Sequence, residues 1–156
     1  MSAPGEGTSG SNDTYSVQMV GMAAVHRIIE AAEEKALSMG IPCVIAVCDP
    51  SGVLKGLSRM DGAPLLCVQI AQDKAYTAVG FSMPTHAWPD FIKDDAPLSA
   101  GAPTGIDRLI IFGGGFPISL DGTVVGGIGV SGGHWSQDME IAQAGLSALS
   151  ATDTRS

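Results

Sequence analysis

Charge is scarce in this chain: only 15% of its 156 residues are Asp, Glu, Lys or Arg. Mean hydropathy is +0.25. So sparse a charge predicts a surface partly covered by copies of the same chain, a homo-oligomer. Basic residues are scarcer still, eight against sixteen acidic ones, for a net charge of −8. They are scattered, so they cannot supply the basic footprint that nucleic-acid phosphates require, and they offer nothing to an anionic membrane surface. No apolar run is long enough to span a bilayer. The opening Met1-Ser2-Ala3-Pro4-Gly5-Glu6-Gly7 has neither the basic region nor the apolar core of a signal peptide. Cysteine is limited to Cys43, Cys48 and Cys67, an odd number at wide spacing. That excludes a disulfide framework and fits small buried hydrophobes in a reducing compartment. The expected location is the cytoplasm.

Glycine is plentiful, 21 residues, and densest in the last third. Gly113-Gly114-Gly115-Phe116-Pro117-Ile118 and the run from Val125 to Gly133 form two glycine corners around an Asp121-Gly122 turn. Glycine at this density implies close backbone approach or positive φ. The corners are therefore candidate ligand loops, with Gly113, Gly114, Gly115 and Ser131 as candidate binding residues.

The rest of the chain divides by its punctuation. Residues 1–13 and 151–156 read as tails around one domain spanning 14–150. A first helix is predicted from about Tyr15 to Met39, capped by Asn12, Asp13 or Thr14 and stopped by Gly40 and Pro42. Val17, Val20, Ala24, Ile28 and Ala31 form one apolar stripe on it, and Met22, Val25 and Ile29 a second. A strand over 43–48, the Asp49-Pro50-Ser51-Gly52 turn and a strand over 53–58 make a hairpin. A second helix runs from Pro64 to about Val79, with Cys67, Ala71, Ala75 and Ala78 as a small-residue face. Residues 82–107 hold four of the nine prolines and read as an irregular functional segment with one short helix at most. Strands over 109–112, 117–120 and 123–130 follow, the last two joined at Asp121-Gly122. A final helix, capped by Ser136, runs to about Leu149. Hairpins dominate, so the expected fold is α+β, with a mostly antiparallel five-stranded sheet and helices packed on it.

Two motifs tempt and fail. Gly127-Ile128-Gly129-Val130-Ser131-Gly132 has the dinucleotide spacing, but its strand partners are hairpins and no parallel strand follows the last helix. Gly129-Val130-Ser131-Gly132-Gly133 has nucleophile-elbow spacing, but only His134 follows Ser131, too close in sequence to serve it as base. The three histidines make no metal spacing. His26 lies on the Met22/Ile29/Glu33 side of the first helix, away from its main stripe. His86 and His134 each sit beside a tryptophan, which suits a flat ligand or a subunit seam. Arg59 ends a strand and Lys74 falls on the small-residue face of the second helix. Converging near glycine amides, the two cations would suit a carboxylate; the alternative for Arg59 is an ion pair with Asp61 or Asp49.

Together these residues resemble the GlcG/HbpS family, which includes the C-terminal domain of some PduO proteins. The resemblance rests on Ile45 to Gly52, Arg59 to Ala63, Ala71 to Ala78, Gly113 to Ile118 and Val125 to Gly133, with Asp138 and Ala142 in the last helix. It spans about 15–150. Cys48 and Cys67 stand where many relatives carry Val and Ser. The resemblance implies a profilin-like fold, a homo-oligomer and, in some members, haem or corrinoid-related binding. Other members belong to small-molecule catabolism with no settled reaction.

The leading expectation is thus a small-ligand-binding protein, for haem or another flat, anionic metabolite. Its pocket would lie between the first and second helices and the glycine corners, with Arg59 and Lys74 on carboxylates and His26 on iron. The rival is a cofactor-free isomerase, lyase or hydrolase for a small oxygenated or carboxylate metabolite. There Lys74, Asp61, His86 or His134 would move protons, and the Gly113–Gly115 amides would hold an oxyanion. A third is an assembly protein whose apolar helix faces serve only oligomerisation.

Overall fold

The computed structural model describes residues 12–150, so the expected tails lie outside the described residues apart from Asn12 and Asp13. The chain forms α1 (Met22–Met39), β1 (Val44–Cys48), β2 (Leu54–Arg59) and α2 (Leu66–Gly80). A short 3₁₀ turn (Thr85–Ala87), α3 (Trp88–Ile92) and α4 (Ala96–Gly105) follow, then β3 (Gly115–Leu120), β4 (Thr123–Ser131) and α5 (Trp135–Ser150). The described strands make one antiparallel sheet of four, in the order β2-β1-β4-β3.

The α+β class is as expected, but the sheet has four strands and not five. Residues 109–112 form no strand because Ile110 gives its N–H to Thr77 Oγ1 at 3.0 Å, which takes it from any ladder. The first helix begins at Met22, seven residues later than expected, because the chain before it is tied to β4: Val20 N donates to Val125 O at 2.9 Å, and Gly21 is extended. Gly21 takes the N-cap position, so Asn12, Asp13 and Thr14 cap nothing in α1. Its buried stripe becomes Val25, Ile28, Ala32 and Ala36. The proline-rich segment carries two α-helices and a 3₁₀ turn, with Pro89 and Pro97 in first turns, where proline's missing N–H costs nothing. Ser136 lies inside α5 and is not its cap.

Each face of the sheet has its own layer. Cys43, Ile45, Val47, Ile128 and Val130 turn to one face, where they meet Val25 and Ile28 of α1 and Ile141 and Ala142 of α5. Val44 and Ala46 turn to the other, against Cys67 and Ala71 of α2. Residues alternate between faces because the strand period is two. The three thiols are buried, as expected. Burial pushes Cys43 up to about 12 and Cys48 up to about 11, so both stay protonated at neutral pH.

α2 lies on β4 at backbone distance. A Cβ on Gly129 would strike the Ala71 carbonyl oxygen and come within 2.7 Å of Ala75 N. A Gly129→Ala substitution must therefore push helix and sheet apart. It is expected to cost about 3 kcal/mol or more. Gly101→Ala, in α4 where a Cβ meets nothing within 4 Å, should instead gain up to about 1 kcal/mol. Urea unfolding of the two variants beside the parent checks both signs.

Candidate functional site

The chemistry-bearing residues separate into a buried centre and an open cleft. At the centre stands Lys74, with no exposed surface. Its Nζ donates to Asp138 Oδ2 at 2.9 Å and to Val130 O at 2.8 Å, and lies 5.1 Å from the centroid of the Phe112 ring. The Asp138 carboxylate also accepts from Gly133 N, at 2.9 Å through Oδ1. Burial pushes the Lys74 ammonium down and the Asp138 carboxyl up, and their mutual attraction opposes both shifts. The pair joins α2, β4 and α5 across 64 positions of sequence.

The glycine corner closes over this pair. Gly114 has φ 122°, and a Cβ there would come within 2.6 Å of Val130 O and 2.8 Å of Lys74 Nζ. Gly115 N donates to Thr85 Oγ1 at 2.9 Å, so one of the three amides expected to hold an oxyanion is already engaged. Gly113 packs on α5, where a Cβ would meet Met139 and Trp135. Ser131 ends β4 opposite Val44 and is buried. The structure thus brings Lys74, Gly114 and Gly115 together, but as packing around an ion pair.

None of the three imidazoles hydrogen-bonds to the Lys74–Asp138 pair. His134 stands before α5: its carbonyl accepts from Gln137 N and Asp138 N, and its Nδ1 accepts from Ser136 N at 3.3 Å. Gln137 reaches back to His134 N at 3.0 Å, the returning half of a capping box. His86 is exposed, its ring 5.6 Å from that of Phe116. His26 is exposed on α1.

The open cleft lies between the C-terminal half of α1 and the end of β2. Its volume is about 510 Å³. Ala36, Leu37, Ile41, Pro42 and Met60 give it apolar walls, and Glu33, Ser58, Arg59 and Asp61 its polar ones. Ser58 Oγ donates to the Glu33 carboxylate. Arg59 makes neither expected ion pair. Its Nε and Nη2 donate to the Ala63 carbonyl at 3.4 and 3.1 Å, which leaves Nη1 without a partner among the described residues. Asp49 instead closes its own turn, accepting from Ser51 N and Val53 N.

The expected single pocket between the first two helices does not form, because α1 and α2 cover opposite faces of the sheet. Lys74 and His26 are therefore on opposite sides of it. His26 and Glu33 are instead two helical turns apart on one strip of α1, about 10 Å along the axis. Asp138 is the centre's second member, and no local spacing pointed to its partner; within its own helix it reads only as an acid at a helix start. Among the described residues, no three His, Cys, Asp or Glu side chains gather into a metal cluster, and no helix is long and apolar enough to cross a membrane.

Removing one member of a buried pair strands the other's charge. Lys74→Met is expected to cost about 3–5 kcal/mol. Lys74→Met/Asp138→Asn should recover more than half of that, since the amide still accepts from Gly133. Equilibrium unfolding in urea at neutral pH checks the recovery, and additive losses would contradict the pairing.

Comparison with known proteins matches residues 20–147 to the family described as haem-degrading protein HbpS-like. The chain is 36% identical over 139 residues to an uncharacterised 15.0 kDa protein from the dhaT–dhaS intergenic region of Citrobacter freundii, covering 89% of this chain and 98% of that one. The crystal structure of Klebsiella pneumoniae protein ORFY superposes with a TM-score of 0.84 at 34% identity, covering 92% of this chain and 99% of the other. That of a PduOC–haem complex superposes with a TM-score of 0.78 at 33% identity, covering 83% and 94%. With four fifths of its length matched by the family and relatives above 30% identity across nearly all of it, this chain belongs to the HbpS-like family.

Proposed function

We propose that the chain binds haem, or another flat metabolite carrying carboxylates, along the strip of α1 that runs from His26 to the α1–β2 cleft. The observation that carries the reading is the cleft itself: about 510 Å³ with apolar walls, and at one side the Nη1 of Arg59, unpaired among the described residues. A guanidinium nitrogen with no internal partner suits a propionate oxygen. His26, exposed on the same helix, is the candidate iron ligand, and bound haem would supply an iron open to small ligands or electrons. Lys74 plays no part in this contact, since it is buried on the other side of the sheet, held by Asp138 and Val130. The relative whose structure is a haem complex supports the choice of haem.

Assembly belongs to the same proposal. Leu65 is 72% exposed and Leu66 75%, side by side at the start of α2. Two such neighbours on a sparsely charged surface suit a contact between copies of the chain.

Haemin titration followed by Soret absorbance tests the reading, with size-exclusion chromatography alongside. A saturable shift at one haem per chain is expected. His26→Ala should abolish it and Arg59→Ala weaken it about tenfold, each with the elution volume unchanged. A shift indifferent to both substitutions, or no shift, would remove haem from this strip.

A further inference from the structure

β2 and β3 are the two edges of the sheet, and they are finished differently. On β3, Gly115 gives its N–H to Thr85 Oγ1 and Pro117 has none to give. Both devices close an edge against further pairing. β2 is left open. Met60 N donates to Cys43 O at 3.0 Å, and the pairing then runs Val44↔Arg59, Ile45↔Ser58 and Ala46↔Leu57. Bonded and non-bonded positions alternate along an antiparallel pair, so Leu57 and Arg59 turn their backbone N–H and C=O away from β1. Among the described residues, nothing outside the sheet bonds to either backbone. The Leu57 side chain is 36% exposed beside them.

The chain before α1 has the complementary lack. Residues 14–19 belong to no helix or strand and make no hydrogen bond among the described residues. Tyr15, Val17 and Met19 alternate there with Thr14, Ser16 and Gln18, and are 90%, 57% and 51% exposed. Alternation at period two puts the three apolar side chains on one face of an extended chain. The arm thus carries the pattern of a half-buried strand but buries none of it in its own chain.

Its own β2 is badly placed to receive it. Val20, where the arm joins the fold, is bonded to β4, and β1 separates β4 from β2. The free flank of β2 therefore lies two strand spacings from Val20, roughly 10 Å. Crossing that distance uses about three of the arm's six residues and leaves too few to cover β2. The arm of a second copy has no such tether. Charge favours that pairing as well. Two copies at −8 each repel overall, but β2 carries Lys55 and Arg59 with no acid, and Asp13 is the one charged residue over 12–19. Whichever way the arm runs, it sets no like charge against the edge.

We infer that residues 14–19 of one copy add as a fifth strand to the open edge of β2 in another, with the Tyr15, Val17 and Met19 face against Leu57. Edge strands accept extended segments in this way, the backbone supplying the bonds and alternate side chains the selectivity. The inference rests on the reading that copies of this chain associate, but it uses a contact other than Leu65 and Leu66.

Amide hydrogen exchange of the Leu57 N–H, which has no partner within its own chain, is the readout, with light scattering for mass. The test variant is Tyr15→Ser/Val17→Ser/Met19→Ser. All three side chains are more than half exposed, so the fold should persist, and far-UV circular dichroism checks that. In the parent the Leu57 amide should exchange about a hundredfold more slowly than in an unstructured chain. The variant should lose that protection and fall to half the mass or less, while the Ile45 amide, inside the sheet, stays slow in both. A Leu57 amide unprotected in the parent would overturn the inference, as would protection that survives in the variant. Protection lost at unchanged mass would overturn it too, since the arm would then lie on its own chain. Leu65→Ser/Leu66→Ser separates this from the wider reading. If that variant loses mass and the arm variant does not, the arm contact fails and association through α2 stands. A parent that is monomeric at every concentration would overturn both.

Discussion

The backbone of α2 rests on the backbone of β4, and the rest of the structure depends on that contact. It exists because Gly129 has no side chain where the Ala71 carbonyl sits, and because Ala71, Ala75 and Ala78 give the helix a face of minimal thickness. A helix so close to the sheet leaves no room for a layer of large side chains between them. The one long side chain on that face, Lys74, must run along the interface and end where the sheet ends, at Val130 and Asp138. The glycine corner is then compelled in turn. Gly114 passes so near the ammonium that no Cβ fits, and Gly115 passes the Lys74 carbonyl in the same way. At Gly114 and Gly115 the missing side chain is a geometric consequence of the thin interface.

That consequence redistributes the charge. A lysine and an aspartate leave a small stock of ionised groups to hold three elements together. Burial opposes both charges, and the hydrogen bonds from Gly133 and to Val130 offset part of that cost. Arg108 is likewise committed, to Asp73 and Tyr76. Of the cations singled out near the glycine corners and strand ends, Arg59 keeps a nitrogen without an internal partner, and it does so beside an apolar cleft. The buried centre thus joins three elements, while the end of β2 keeps an exposed cation beside an apolar cleft.

Much of this frame was legible in the sequence because its signals are local. Gly40 takes the left-handed position that ends α1, Asp49-Pro50-Ser51-Gly52 turns the first hairpin, and Asp121-Gly122 the second. The small-residue face of the second helix, with Lys74 on it, was readable from spacing alone. What failed was non-local. The apolar Leu109-Ile110-Ile111-Phe112 has strand composition, but a threonine on α2 claims its amide and a left-handed Arg108 precedes it. Val17 and Val20 continue the helical period of α1 backwards, yet Val20 N bonds to Val125 O and the helix starts only at Met22. Periodicity cannot register a partner a hundred residues away. The site suffered most from this, because Lys74 and Arg59, both cations near glycine, differ only in what lies opposite them.

The sheet also keeps the buried ion pair apart from the strip proposed for ligand. α1 and α5 cover one face and α2 the other. On the α1 side, exposed Arg59 holds the last position of β2, bound to the described chain through Nε and Nη2. On the α2 side, Lys74 is buried against Asp138 and Val130. An exposed guanidinium exchanges water for an anion at little cost, whereas a buried ammonium must be held by a counter-ion in the fold itself. The two cations therefore differ in what each is free to meet, and the sheet stands between them.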